Sequence, residues 1–315
     1  MTLRRSKKYW NKKVGGGIAR PFYDDADIIF SHIKMSSTYT GFWARVERSS
    51  DNAVLDVDFL PNRLPDLVAA NTFRGSDVLS IKWIYNQGTF IGTDPDNAAK
   101  NTTRIPLPGT QNSNSIIHDG TDWVRIGDWL ALDNDIVGAA NANIARYSYP
   151  YLESITDKNS MMFSVFKNPD VGPSSSWGSK CSESSGDVLR SNTHRSDNRS
   201  LPRAGYLYYP STSVGVINNF RNPFGFHEQC TTTRNSTLND LRYNGISSGT
   251  ATQTTVFVAA SFFSVEIFSE KVATNANDFN NKSRAKFQEL ILYKSFDATK
   301  RDNLEAEQTS FYGTA

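Results

Sequence analysis

Carboxylates, indoles and one block of cations are the side chains of this 315-residue sequence whose types and spacing could do chemistry. The pairs Asp94/Asp96 and Asp119/Asp122 offer the several oxygens that Ca2+ requires. Asp-Gly sequences such as Asp119-Gly120 are more commonly turns. No metal site and no cofactor are therefore expected. His32, His118, His194 and His227 are scattered without zinc-ligand spacing. They form no readable Ser-His-Asp order. Trp177, in a Ser/Gly-rich stretch, and Trp123 with Trp129 are candidates to stack on sugar rings, because an aromatic face suits the apolar face of a sugar. Trp83 lies inside a strand pattern and is assigned to the core. Arg45 and Arg48 are expected to pair with Asp51 or Asp56. Cys181 and Cys230 are too few for a disulfide framework; they are read as two free thiols, with a single bridge as the alternative.

The cations are unevenly placed. Formal net charge is only +2, yet residues 1–20 hold Arg4, Arg5, Lys7, Lys8, Lys12, Lys13 and Arg20 and no acid. This stretch reads as a basic arm with a Gly15-Gly16-Gly17 linker, followed by one domain over 21–315. Such arms bind nucleic acid or acidic protein surfaces. Arg4, Arg5, Lys7, Lys8, Lys12 and Lys13 are the candidate anchoring residues. No apolar segment follows the charges, so the stretch is not a secretory signal. No run approaches the ~20 apolar residues of a membrane span.

The elements that must position these residues are short strands. Hydrophobic residues make up 38% of the chain and aromatics 12%. Asn, Ser, Thr and Gly fill the difference, which favours turns and strands over long helices. Phe42, Ala44 and Val46 alternate with Trp43, Arg45 and Glu47, and Ser49-Ser50-Asp51-Asn52 turns the chain into a second strand. A short helix is expected within 62–76 and strands over 78–85, 161–166, 205–209, 214–220 and 286–293. The stretch 254–268 should span a strand and its neighbour. Residues 86–122 and 168–203 read as long loops. Asn244-Gly245 marks a hairpin with a type I′ turn, and Asp297 caps a helix running to Tyr312 before Gly313. The pattern predicts an all-β sandwich or barrel closed by a C-terminal helix.

Several motifs narrow the fold. Ser36 to Gly41, Ala44 to Ala53 and Asp56-Val57 resemble the opening of the arabinofuranosidase B catalytic-domain family. Trp83-Ile84-Tyr85-Asn86-Gln87-Gly88 is similar to that family's strand end, with Asn86 in place of an aspartate. Asp119 to Trp123, Leu241 to Gly245, and Phe287 to Tyr293 followed by 297–312 resemble elements of concanavalin A-like sandwiches. The resemblance implies a two-sheet antiparallel jelly roll. In the family's enzymes a glutamate nucleophile lies in the second half of the domain, and an aspartate acid lies in a glycine-rich turn before the last strand. The corresponding stretch here, Glu270 to Asp278, is longer and has no glycine, and no nucleophile motif matches. No catalytic residue is therefore assigned. The same domain type occurs in bacteriophage and bacterial surface proteins. The expectation is a non-enzymatic virion protein (fibre, tail or capsid-decorating), homo-oligomeric and held to other virion proteins by its arm, with host surface polysaccharide as a further partner. A glycoside hydrolase acting on arabinofuranosyl-type sugars is the alternative.

Overall fold

A computed structural model describes residues 18, 20–101, 114–134, 145, 147–151, 159–167, 177–185, 194–197, 227–252, 263–268 and 285–314; the side chains of 151, 177–185, 194–197, 248, 251 and 263 are outside the description. The first strands are β1 (Ile28–Ser31), β2 (Ala44–Arg48), β3 (Val54–Val57), β4 (Leu79–Tyr85), β5 (Ala98–Asn101) and β6 (Ser115–His118), with helix α1 (Leu67–Arg74) between β3 and β4. Next come β7 (Arg125–Ile126), β8 (Trp129–Leu130), β9 (Leu132–Asp133), β10 (Tyr147–Tyr151), β11 (Asn159–Lys167), β12 (Trp177–Ser185) and β13 (His194–Asp197). The chain closes with β14 (His227–Asn235), β15 (Leu238–Tyr243), β16 (Ile246–Thr252), β17 (Phe263–Ile267), β18 (Lys286–Tyr293) and helix α2 (Ala298–Tyr312).

Antiparallel hydrogen bonds link the strands in the order β13-β12-β17-β10-β5-β4-β6-β9-β18-β11-β14-β15-β16, with β2 and β3 added at β4 and β1 at β18. The sheet folds back on itself at β6 and β9, so its two halves face each other. The buried cluster shows this directly: Val46, Ile84, Tyr147, Tyr149, Val265 and Ile267 of the first half pack with Met162, Phe287, Leu290 and Leu292 of the second. The result is the expected all-β sandwich with a terminal helix.

The outer face of the second half carries a separate cluster that includes Ile29, Met161, Phe163, Ile291 and Tyr293, covered by Leu304 of α2. Helix α2 begins where expected. The Asp297 carboxylate accepts from Lys300 N at 2.9 Å, and Gly313 at φ 68° ends the helix in the left-handed region. Its buried residues are Leu304, Glu305, Gln308 and Tyr312, so polar groups meet the sheet as well as apolar ones.

The Asn244-Gly245 turn has φ of 48° and 78°, as a type I′ turn requires, and sets Tyr243 opposite Ile246. The recognisable Asn86-Gln87-Gly88 stretch is a fastener. Asn86 Oδ1 accepts from Ile29 N, and Gln87 Oε1 accepts from Met35 N while its amide donates to Ser31 O and Ile33 O. A Cβ at Gly88 would lie 2.3 Å from the Asp27 carbonyl oxygen, so only glycine lets β1 approach this closely.

Three expectations change. The stretch 168–203 contains β12 and β13 rather than one long loop, and 86–122 contains β5 and β6. Polar composition hid β12 and β13, and β5 and β6 are only four residues each. Arg20, grouped with the arm, lies inside the fold at 4% exposure. The Arg63 guanidinium donates to the carbonyls of residues 18, 20 and 21 and fixes the chain there. Residues 1–17, 205–209 and 214–220 lie outside the described residues, as does most of 254–268 before β17.

Candidate functional site

Each half of the sandwich has an inner face on the shared core and an outer face, so strand register sorts the polar residues into distinct surfaces. On the outer face of the first half, a row crosses the strands through Asp56, Arg45, Trp83, Lys100, Ser148 and Glu266. Trp83 is half-buried rather than core. The Arg45 guanidinium lies 3.8 Å and the Lys100 ammonium 4.1 Å from its ring centroid. Both cations are tied down, Arg45 by Asp56 at 2.6 Å and Lys100 by Asp94 and Asp96 at 2.8 and 2.5 Å. The hydrogen bond to Asp56 holds the Arg45 guanidinium above its usual range. This row is a cross-strand ladder that stiffens the sheet, and its indole is flanked by cations. Arg48 pairs with Asp51, as expected.

Of the predicted site residues, Trp123 and Trp129 have described side chains, and both have protein partners. Trp129 stacks on Phe311 at 4.2 Å and donates its indole N–H to the Phe311 carbonyl, so it braces α2. Trp123 meets His118 edge-on at 4.9 Å and packs against the core. Trp177 opens β12, opposite Asp197, instead of standing in a loop; its side chain lies outside the description. The acidic pairs raised for Ca2+ have protein partners: Asp119 accepts from Thr121 N and Asp122 N, and Asp94 and Asp96 share Lys100. Among the described residues no group of three or more His, Cys, Asp or Glu is placed to hold a metal. Cys230 is buried and forms no disulfide. The candidate anchors Arg4 to Lys13 lie outside the described residues.

A buried ionic cluster lies on the outer face of the second half. The Arg20 guanidinium grips Glu289 at 2.6 and 2.9 Å and also bonds Glu307. Glu289 further accepts from Ser31, Gln308 and Tyr312 at 2.8–3.0 Å. Burial would raise the Glu289 pKa, but Arg20 and these donors hold it below the usual value. His32 lies beside this cluster, between Trp129 and Tyr312, and burial lowers its pKa to about 4. Arg20, Glu289, Gln308 and Tyr312 satisfy one another and lock the N-terminal segment and α2 onto the sheet, while His32 Nε2 has no hydrogen-bond partner. Their role is structural.

The inner face holds chemistry that composition did not reveal. On β12, Glu183 stands opposite Val265, which stands opposite Tyr149 on β10. Val265 and Tyr149 are both fully buried in the shared core. Glu183 therefore holds a register position on the inner face, next to two core residues. In the second half, β14 brings Glu228, Cys230, Thr232 and Arg234 to the inner face, because Thr232 pairs with the core residue Met162 and the others lie at two-residue steps. No spacing rule could have found this alignment, since it depends on the pairing of strands far apart in sequence.

No protein-family model matches the chain, and no curated protein matches it in sequence. Solved structures do match in fold. A GH54 α-L-arabinofuranosidase soaked with a cyclic sulfate inhibitor superposes with a TM-score of 0.51 at 10% identity, over 92% of this chain and 63% of that one. An arabinofuranosidase complexed with arabinofuranosyl-α-1,2-xylobiose gives 0.50 at 12% identity, over 91% and 62%. The chain thus spans less than two thirds of the length of these proteins. At such identity the likeness establishes the shared β-sandwich fold.

Proposed function

We propose that the chain is a glycoside hydrolase acting on arabinofuranosyl-type sugars, with its site on the inner face beside β12. The single observation that carries this reading is the register position of Glu183. The register sets Glu183 opposite Val265, which is opposite Tyr149, so it shares a sheet face with two core residues. Glycosidic cleavage requires two carboxyl groups about 5–10 Å apart across the scissile bond. Glu183 is assigned the nucleophile. The second carboxyl is left unassigned, because the stretch Glu270 to Asp278 departs from the family's glycine-rich turn. The arabinofuranosidase fold supports the reading at the level of architecture.

The test is release of arabinose from arabinan and of nitrophenol from nitrophenyl arabinofuranoside. Wild-type protein should release both, and Glu183→Gln should lower the rate by at least about 100-fold. Full activity in that variant, or none in the wild type, would overturn the proposal. The virion reading rests on the basic stretch 4–13 and the sequence resemblance. Its test is co-sedimentation of the chain with particles from a lysate.

A further inference from the structure

The last turn of α2 is seated around a buried base. His32 is fully enclosed, with its ring 6.1 Å from Trp129 of β8 and 6.1 Å from Tyr312 of α2. Its Nδ1 lies 3.4 Å from the Gln288 carbonyl oxygen. A carbonyl only accepts, so Nδ1 carries the hydrogen and Nε2 is the nitrogen left to receive a proton. That Nε2 is buried without a hydrogen-bond partner. A second histidine, His227, meets the same Tyr312 ring at 6.4 Å, and its Nε2 lies 2.8 Å from Gln288 Oε1. The Gln288 amide nitrogen faces the carbonyls of Ile126, Trp129 and Leu130, so its oxygen accepts from His227. The other fastenings of α2 converge on the same turn. Trp129 stacks on Phe311 and donates to its carbonyl. Arg20 lies over the Phe311 and Tyr312 rings at 4.8 and 5.3 Å, and the Tyr312 hydroxyl donates to Glu289.

We propose that this turn is an acid-sensitive latch: a proton taken up by His32, assisted by His227, releases α2 and the segment at Arg20 while the sandwich stays folded. With α2 docked, a proton on His32 Nε2 has no acceptor to bond. Arg20 of the N-terminal segment and Arg125 of β7 repel it, and Lys167 of β11 opposes a proton on His227. The counter-charge that favours His32 protonation is Glu289 of β18, already engaged by Arg20, Ser31, Gln308 and Tyr312. On α2 itself, Glu307 is held by Arg20 and Tyr23, and Glu305 by Arg242 of β15. Burial raises the Glu305 pKa, so its titration favours the docked helix in acid and is not the trigger. Undocking exposes both imidazoles to water, where they protonate at their ordinary value. The opening is local because α2 meets the sheet through side chains and takes no part in the strand ladders. It uncovers the apolar cluster of Met161, Phe163, Ile291 and Tyr293 beneath Leu304. The device is independent of the hydrolase reading.

The experiment is amide hydrogen exchange on the full chain at pH 7.5 and 5.0, corrected for the intrinsic effect of pH on exchange. The reporters are the α2 amides and those of Gly313 and Thr314, which both donate to the Thr309 carbonyl. The reference is the paired amides of β11 and β14. A His32 pKa of about 4 docked and 6.5 released raises the opening equilibrium about 30-fold at pH 5.0. Protection of the α2 amides should fall by about that factor, while β11 and β14 hold theirs. In the double variant His32→Gln/His227→Gln the change between the two pH values should shrink to about threefold or less. The proposal is overturned if α2 is as protected at pH 5.0 as at pH 7.5, if β11 and β14 lose protection in step with it, or if the folded double variant keeps the full change. Should the double variant fail to fold, the ring resonances of His32 in the wild type decide. Loss of α2 protection must follow the His32 titration, and a helix that loosens while His32 stays neutral overturns the latch.

Discussion

At the scale of single residues, the buried histidine makes the plainest prediction. His32 is 3% exposed, flanked by Trp129 and Tyr312, with Arg20 and Arg125 opposing its protonation and Glu289 favouring it. Burial dominates, so its pKa falls from 6.5 to about 4 in the folded state. The unfolded chain then binds the proton more readily than the folded one. Stability from this source is complete above pH 6.5 and declines as pH falls towards 4, at about 1.4 kcal/mol per pH unit, for a total of about 3 kcal/mol. Burial also lowers the pKa of His118 and His227, which adds slope of the same sign. Urea unfolding at a series of pH values from 8 to 4 should show the decline, and His32→Gln should flatten part of it. A variant with an unchanged slope would contradict the assignment. The loss from Glu289 belongs lower, below its ordinary value of 4.5, because its folded pKa is lowered. None of this was legible in sequence. The four histidines had no pattern, and what matters about His32 is the company it keeps across 97 to 280 residues of chain.

At the scale of elements, what could be read depended on whether the cause was local. The Asn244-Gly245 turn, the Asp297 cap and the Gly313 stop were foreseeable because each acts within a few residues. The Arg45–Asp56 and Arg48–Asp51 pairs were foreseeable because a hairpin sets their spacing. Strands β12 and β13 were missed because Trp177 to Ser185 and His194 to Asp197 are polar on both faces and show no apolar alternation. Strand β10 carries Pro150, a breaker by composition, tolerated here where the ladder to β5 has already ended at Ser148. Glu183 was invisible as a site residue for the same reason: its face exists only once β12 pairs with β17. The docking of α2 was equally hidden, because it relies on polar groups meeting Glu289 rather than on an apolar stripe. Glu289→Gln leaves the Arg20 guanidinium without its closest buried counter-charge. It should destabilise the protein by about 3–5 kcal/mol. Asp297→Ala removes only the cap and should cost about 1 kcal/mol. Denaturant midpoints for the two variants check both the size and the order.

At the scale of the whole molecule, the last strand holds the sheet together. β18 pairs along its length with β11, over Glu289 to Leu292 with β1, and at its start with β9, through Phe287 opposite Leu132. The path from the first half to the second runs through that β9 contact, so without β18 the hydrogen-bonded sheet divides in two. Leu290 and Leu292 point into the shared core, while Ile291 and Tyr293 belong to the cluster under α2, so one strand also closes both apolar layers. The chain thus cannot complete either layer until its C-terminal thirty residues are in place, and the long sequence separations imply slow folding. A chain ending at residue 285 should lack a cooperative melt and be cut throughout by protease. A chain ending at residue 296 retains β18, and Glu289 keeps Arg20 and Ser31 while losing Gln308 and Tyr312. It should melt cooperatively at a lower temperature. The comparison separates two roles of the C-terminal region, since a cooperative melt in the shorter chain would show that the halves are stable apart and that β18 seals the sandwich without being needed to form it.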